Sequence, residues 1–535
     1  MIDEYHRPPK NLRHVEGNEG SRERQEIPHY VRDDVKLFYY QAAAVLTFLL
    51  LCRLLAMYFV PLMDSTEARY AEIAREMLQT QNWITLLHNY GSPFLAKPPL
   101  STWLSATSLS LFGINELAVR LPSLLLSIAI LWLVWSLAKK RSGSVVALLT
   151  VLFLAGSLYF YLNAGAVMTD AALIFCTTLS MVAFWQAVVE RSKLWAYLFF
   201  VALGLGLLTK GPAAFVLSVL PSFLWLIISK QWSAFYRQMP LFKGSLITLA
   251  IALPWYVLAE LRSPGFLNYF IIGEHFNRFF VSSWNGNQYG YSHAKPYGTI
   301  WIYCLIGFFP WSVVALNWLG HQAKNLGALL RQEDQGWLNY LLLWAYVPLV
   351  FFSFSKNIIY TYCFSTLPAF ALLFAELWQR SGIRLKTVKR FMLLTTLTGF
   401  IFLFATLVLI AKPGKIAKSQ KPIISAWESE NPPADSKLIY WATRLEYSAQ
   451  FYSKGRALAT RDFNYLSQFF RDRKNRYLVI STKETTQLPQ DFYSQFTTLR
   501  VIQMTNDQQL LLGRSTVYTS EDSKAALSPQ KNESD

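Results

Sequence analysis

The chain has 535 residues, of which 53% are hydrophobic, 16% aromatic and only 16% charged, against roughly 25% charged in an average soluble domain. Together with several apolar runs of about twenty residues, this excludes a wholly soluble protein and specifies a polytopic membrane protein. The formal net charge of +17 does not point to nucleic acid. The basic residues gather in short loops between apolar runs, where they report topology and suit anionic lipid.

The first 36 residues are polar and mixed in charge, lack the apolar core and cleavage site of a signal peptide, and read as a cytoplasmic tail. A first span at 37–60 leads into Met63-Asp64-Ser65-Thr66-Glu67-Ala68-Arg69-Tyr70. From there Tyr70, Ile73, Ala74, Met77 and Leu78 recur at helical spacing, with Arg69, Glu72, Arg75, Glu76 and Gln79 opposite them. The pattern predicts an amphipathic helix along the membrane surface. Gly91 to Pro99 interrupts it, and 100–112 forms a second interfacial segment. Further spans are predicted at 116–138, 144–162, 169–189, 194–209, 212–229, 244–261, 297–319, 337–354, 358–379 and 391–411, which makes eleven in all.

Alternation of these spans puts Lys139-Lys140-Arg141, Arg191 with Lys193, 230–243, 321–331 and 380–390 on one side, the cytoplasm by the positive-inside rule. The opposite side receives Asp64, Lys97, Asp170, Lys210, the 262–296 segment, Lys356 and everything beyond 411. In 412–515, short apolar stretches at 437–441, 477–480, 499–504 and 509–512 alternate with helix-like pieces at 445–452 and 463–471. They predict a small α/β domain on the extracytoplasmic side, followed by a disordered tail at 516–535. Cys52, Cys176, Cys304 and Cys363 fall inside apolar runs and read as buried hydrophobes.

Charged residues near the outer ends of the spans are the chemical candidates. Asp64 with Glu67 three residues later reads as a helix cap. The same placement sets a carboxylate at a positive helix terminus, where it stays ionised and serves as a base. Asp170 opens a very apolar helix and must therefore sit at its edge or face a polar cavity. Lys97-Pro98-Pro99 and Lys210-Gly211-Pro212 present lysines on rigid backbone, although snorkelling to the interface is the ordinary fate of such lysines. Arg278 and Lys356 add further outer cations. Cations facing acids suit a phosphate ester, which the cations would hold and whose leaving charge they would stabilise. His293 lacks a second histidine at metal spacing, so the loop does not read as a metal site.

The Asp64-to-Met77 stretch, Lys97-Pro-Pro-Leu-Ser-Thr-Trp-Leu, Leu208-Thr-Lys-Gly-Pro, Asn277-Arg-Phe and Ser355-Lys, in that order, resemble bacterial glycosyltransferase family 39/83. That family contains the aminoarabinose lipid A transferases and relatives of the protein O-mannosyltransferases. The resemblance covers about 38–411 and implies a GT-C fold, a polytopic helical protein of about 11–13 spans with juxtamembrane helices and a small periplasmic α/β domain. It implies inverting transfer of one sugar from an undecaprenyl-phosphate donor to lipid A or another envelope glycan at the periplasmic face of the inner membrane. Asp64, Asp170 and Glu67 are the implied acids, and Lys97, Lys210 and Arg278 the implied carrier-phosphate ligands. Arg69, Tyr70, Glu274, His293, Lys356 and Tyr362 are further candidates for binding substrate, and Trp103 for stacking. No cofactor is required, the need for a divalent ion is left open, and nucleic acid is not a partner. In the aminoarabinose transferases the first motif runs Asp-Glu-x-Arg-Tyr, so an ungapped match places Thr66 at the aspartate. Asp64 and Glu67 then compete for the acidic role. Ala96 stands where those enzymes tend to carry a glutamate. Asp64→Asn and Lys97→Ala are each expected to abolish transfer. A protein acceptor and a lipid-linked sugar flippase are the alternatives.

Overall fold

The structure is a computed structural model. It describes residues 29–514 apart from 90, 283, 285, 287, 290–292, 326, 328, 330–333, 383–384, 413–415, 444, 473–474 and 506. Most of the expected N-terminal tail and the whole expected C-terminal tail lie outside the described residues. The chain divides into two compact units, 1–44 and 45–535. In the first, the described part is the opening of helix α1 (His29–Phe59), so helix begins within the stretch expected to be tail.

Among the described residues eight helices are long and apolar enough to cross a membrane, and a ninth span results if the bent pair Thr299–Gly307 and Trp311–Gln322 crosses as one. Pro310 lies at that 103° bend, where its missing N–H interrupts the helical ladder. The remaining two of the eleven predicted spans become the shorter apolar helices Ser144–Ala155 and Trp337–Ser353. At 1.5 Å per residue neither reaches across a hydrocarbon layer of about 30 Å. The polytopic helical class therefore holds with fewer full-length spans than expected.

Helix Asp170–Val188 is the centre of the bundle, with 94% of its span window buried. Its sequence is apolar or small on every face, as burial on all sides requires. It packs against α4 (Glu116–Ser142), which follows α2 (Thr66–Thr80) and α3 (Leu100–Phe112), and against helix Lys193–Lys210. All four cysteines are buried and free.

α2 departs from the expected surface helix. Its apolar residues Ala71, Ile73, Ala74 and Met77 are buried, and on the opposite face Glu72 and Arg75 are only 2% and 4% exposed. That polar face is covered by the C-terminal domain, whose helix Tyr447–Tyr452 packs on α2. Arg75 compensates by binding Glu72 through two donors at 2.7 Å. The two-stranded hairpin of β1 (Leu87–His88) and β2 (Ser92–Pro93) carries the chain from α2 towards Lys97.

The C-terminal domain is a five-stranded mixed sheet of β3 (Leu438–Trp441), β4 (Ala457–Thr460), β5 (Tyr477–Ser481), β6 (Phe496–Gln503) and β7 (Gln508–Arg514) in the order β4-β3-β5-β7-β6. β3 pairs in parallel with β4 and β5, while β7 runs antiparallel to β5 and β6. Four strands match the predicted stretches. β4 was not anticipated, because Ala-Leu-Ala-Thr is short and carries no β-branched or aromatic run. The sheet separates two apolar layers, one around Trp427 and Tyr440 and the other around Leu466 and Phe470.

Candidate active site

Three basic and two acidic side chains from four separate segments meet at one end of the bundle. Lys210 ends its helix, and Gly211 follows at φ +58°. A Cβ at Gly211 would lie 2.6 Å from the Phe270 ring, so only glycine makes this turn. Pro212 then starts the next helix with no donor to lose. The turn presents the Lys210 ammonium 2.6 Å from Asp170 Oδ1. Asp170 lies in the first turn of the central helix and is 3% exposed. The apolar flanks that made Asp170 conspicuous in the sequence are thus reconciled by a direct ion pair.

Lys97 emerges from the segment between the hairpin and α3. Its ammonium donates to the Ala96 carbonyl at 2.8 Å and lies 3.5 Å from Glu274 Oε2. The same oxygen accepts from Arg278 Nη1 at 2.7 Å. Glu274 and Arg278 sit at the end of a π-helical segment, Asn268–Asn277, and just beyond it. Such a segment is rare and recurs at functional sites. Burial pulls the Lys97 ammonium down to about 8, opposed by Glu274 and reinforced by Arg278 and Lys210. Burial alone would raise the Glu274 carboxyl, but Lys97 and Arg278 together hold it below the usual carboxylate range. Tyr362 stacks on Phe352 at 4.6 Å and stands within electrostatic reach of Lys210 and Arg278. Tyr70 likewise feels Lys210, Asp170 and Glu274, and lines a small crevice with Ser101, Thr102, Ser105, Val167 and Met168.

Other expected site residues lie elsewhere. Asp64 is not at the cations: Ser448 of the C-terminal domain donates its backbone N–H at 3.0 Å and its hydroxyl to this carboxylate. Nor does Asp64 cap α2, whose N-cap is Ser65 without a side-chain bond. Burial pushes the Asp64 carboxyl up to about 7, with Ser448 and Lys418 opposing and Glu446 adding. A carboxyl raised from 3.8 contributes stability fully present below about 3.8 and lost as pH rises through about 7. Asp64→Asn should therefore flatten the pH dependence of Tm between about 4 and 7 and leave transfer near the wild-type rate. A collapse of transfer in that variant with unchanged Tm would return Asp64 to the chemistry.

Glu67 is held away from the cluster by Arg120, which binds both carboxylate oxygens at 2.8 Å. Arg69 donates to the Tyr289 carbonyl at 2.7 Å, with its guanidinium over the Tyr70 and Phe94 rings. The bond to Tyr289 ties Arg69 to that loop, and the residue is half-buried. Trp103 donates to the Trp83 carbonyl at 2.7 Å and packs, half-buried, against the apolar cluster beside α2. Lys356 places its ammonium over the Tyr297 ring and its backbone N–H on the Phe279 carbonyl at 2.8 Å. His293 lies near Arg278, and its carbonyl accepts from Ile358 N–H at 3.0 Å. Both belong to the strap that fixes the backbone around Arg278. Among the described residues no three of His, Cys, Asp or Glu gather closely enough to hold a metal ion.

Three contributors were not singled out from the sequence. Asn357 donates to the carbonyls of Arg278 at 2.6 Å and Val281 at 2.9 Å. Tyr269 donates to Glu274 Oε1 at 3.4 Å, and neither residue carried a sequence signal. Arg120 did: an arginine inside an apolar span needs a buried partner.

A sequence model of the family described as dolichyl-phosphate-mannose-protein mannosyltransferase matches residues 40–270. The chain is 31% identical over 350 residues to an undecaprenyl phosphate-alpha-4-amino-4-deoxy-L-arabinose arabinosyl transferase of Pseudomonas savastanoi pv. phaseolicola, covering 63% of this chain and 61% of the relative. It is 31% identical over 403 residues to the transferase of the same description from Erwinia tasmaniensis, covering 70% and 66%. The chain therefore spans somewhat less than two thirds of the length of these curated relatives. The crystal structure of ArnT from Cupriavidus metallidurans bound to undecaprenyl phosphate superposes with a TM-score of 0.67 at 17% identity, over 90% of this chain and 98% of that one. That likeness is one of fold.

Proposed function

We propose that the chain, which shares the fold of a transferase of this kind, is a member of glycosyltransferase family 39/83 and moves a single sugar from an undecaprenyl-phosphate carrier to lipid A or another envelope glycan. The observation that carries this reading is the convergence of Lys97, Lys210 and Arg278 on one site with Asp170 and Glu274. The names of the relatives, which specify an undecaprenyl-phosphate sugar, support the same donor class. The basic loops at the other ends of the spans support a periplasmic site.

In the reaction an acceptor oxygen forms a bond to the anomeric carbon from the face opposite the carrier. The bond from that carbon to the phosphate oxygen breaks, and the electron pair leaves with the phosphate, inverting the centre. Lys97, Arg278 and Lys210 stabilise the leaving charge. Asp170, buried behind Lys210 and paired with it at 2.6 Å, keeps that lysine charged through the reaction, and the proton of a hydroxyl acceptor passes to solvent. A phosphate acceptor is already nucleophilic and needs no strong base.

The match to the protein mannosyltransferase family favours a protein acceptor as the second reading. Mass spectrometry of lipid A and of secreted proteins from a deletion strain separates the two. We expect loss of a sugar from lipid A or another envelope glycan. Loss from proteins alone would establish the second reading, and no change in either would remove both.

A further inference from the structure

We propose that Glu274 is a positioning residue that holds Lys97 and Arg278 from the buried side, so that both cations turn their free faces to the donor phosphate. The inference rests on the phosphate-binding reading above. One carboxylate oxygen serves both cations, at 2.7 Å from Arg278 Nη1 and 3.5 Å from Lys97 Nζ. The Glu274 side chain is 2% exposed, whereas those of Lys97 and Arg278 are 21% and 19% exposed. The carboxylate lies behind its partners, and a substrate would meet the cations before it met Glu274. This sets aside its expected role as a direct substrate ligand.

Local structure makes the position specific. The π-helical segment supplies the wider turn that brings Glu274 inward. Its neighbour Gly273 packs on Trp284, which a Cβ would meet at 2.8 Å. Tyr269 from the same segment donates to the second carboxylate oxygen.

Glu274 also sets the charge of the site. Lys97, Lys210 and Arg278 bring three positive charges and Asp170 and Glu274 two negative ones, leaving a net +1 that suits a singly charged phosphodiester donor. Of the groups acting on Lys97, burial, Arg278 and Lys210 all favour its neutral form, and Glu274 favours its charged form. His275, within reach of Lys97 and Glu274, Tyr70, Tyr269 and Tyr289, near Glu274, Tyr362, near Lys210 and Arg278, and His293, near Arg278, are further titratable groups facing the cluster. Removing the Glu274 charge therefore discharges Lys97 closer to neutral pH.

The test is pH-dependent labelling of Lys97 with an amine-reactive reagent on the purified full chain, read by mass spectrometry and requiring no substrate. Wild type should titrate near 8, and Glu274→Gln lower by about one pH unit, at the lower end of what loss of a neighbouring charge produces. The alkaline limb of kcat/KM should move down by the same amount. Should Glu274→Gln fail to fold, Arg278→Gln provides the reverse case, because Lys97 then has Glu274 to itself and should titrate higher than in wild type. An unshifted Lys97 in whichever variant folds overturns the inference. Shifted labelling in a protein that transfers no sugar from a polyprenyl-phosphate donor would instead retain the inference and remove the functional reading.

Discussion

Lys97→Ala should lower donor-dependent transfer about 10²–10³-fold, the usual effect of deleting one donor aimed at a developing charge in a dry site. The Lys97 ammonium is anchored by the Ala96 carbonyl and Glu274, and Pro98 and Pro99 restrict the backbone behind it. The geometry is therefore prepared before the phosphate arrives. Because the residue precedes α3 and lies outside the spans, membrane insertion and Tm should change little. Lys97→Arg should recover only part of the rate, since a planar guanidinium does not reproduce a compact ammonium. Initial rates with a purified polyprenyl-phosphate sugar, at donor concentrations above and below KM, provide the measurement. A wild-type rate in Lys97→Ala would remove this residue from the anion site.

Glu67→Gln should instead act on stability, by about 3–5 kcal/mol, because it leaves the Arg120 charge buried without its counter-ion. The Arg120 side chain is 4% exposed. Besides Glu67 it binds the carbonyls of Met57 at 2.9 Å, Val60 at 2.6 Å and Pro61 at 3.3 Å. This pair ties the end of α1 to the first turn of α2 and to α4. Its loss should lower Tm in detergent and reduce the amount of folded protein. The double variant Glu67→Gln with Arg120→Gln should regain part of the stability, since no full charge is then left unpaired. Transfer that recovers along with Tm confines Glu67 to a structural role. Transfer that stays lost in a stable double variant would give Glu67 a part in the chemistry after all.

These two outcomes divide residues that a linear reading groups together. Glu67 and Lys97 both occur in motifs that resemble those of family 39/83, and both are charged residues beside a helix start. What separates them is the partner: a bidentate arginine holds both oxygens of Glu67, while Lys97 shares its carboxylate with Arg278. A spacing pattern does not tell whether packing or chemistry uses a residue. Asp64 makes the same point, because Ser448, its partner, is 384 positions away.

The sequence by itself determined the membrane class, most span positions and the α/β character of 412–515, and it singled out Lys97, Lys210 and Arg278, which the structure brings into one cluster. Each of these depends on local composition, period or backbone stiffness: twenty apolar residues, alternation, or a proline beside a lysine. Only the tertiary structure decided that Asp170 belongs to Lys210, that Glu274 stands behind Lys97 and Arg278, and that Glu67 and Asp64 are occupied elsewhere. It also decided that the polar face of α2 lies under the C-terminal domain. Ion pairing depends on distances of about 3–4 Å between groups far apart in the chain, and nothing in one-dimensional spacing encodes those distances before the helices pack.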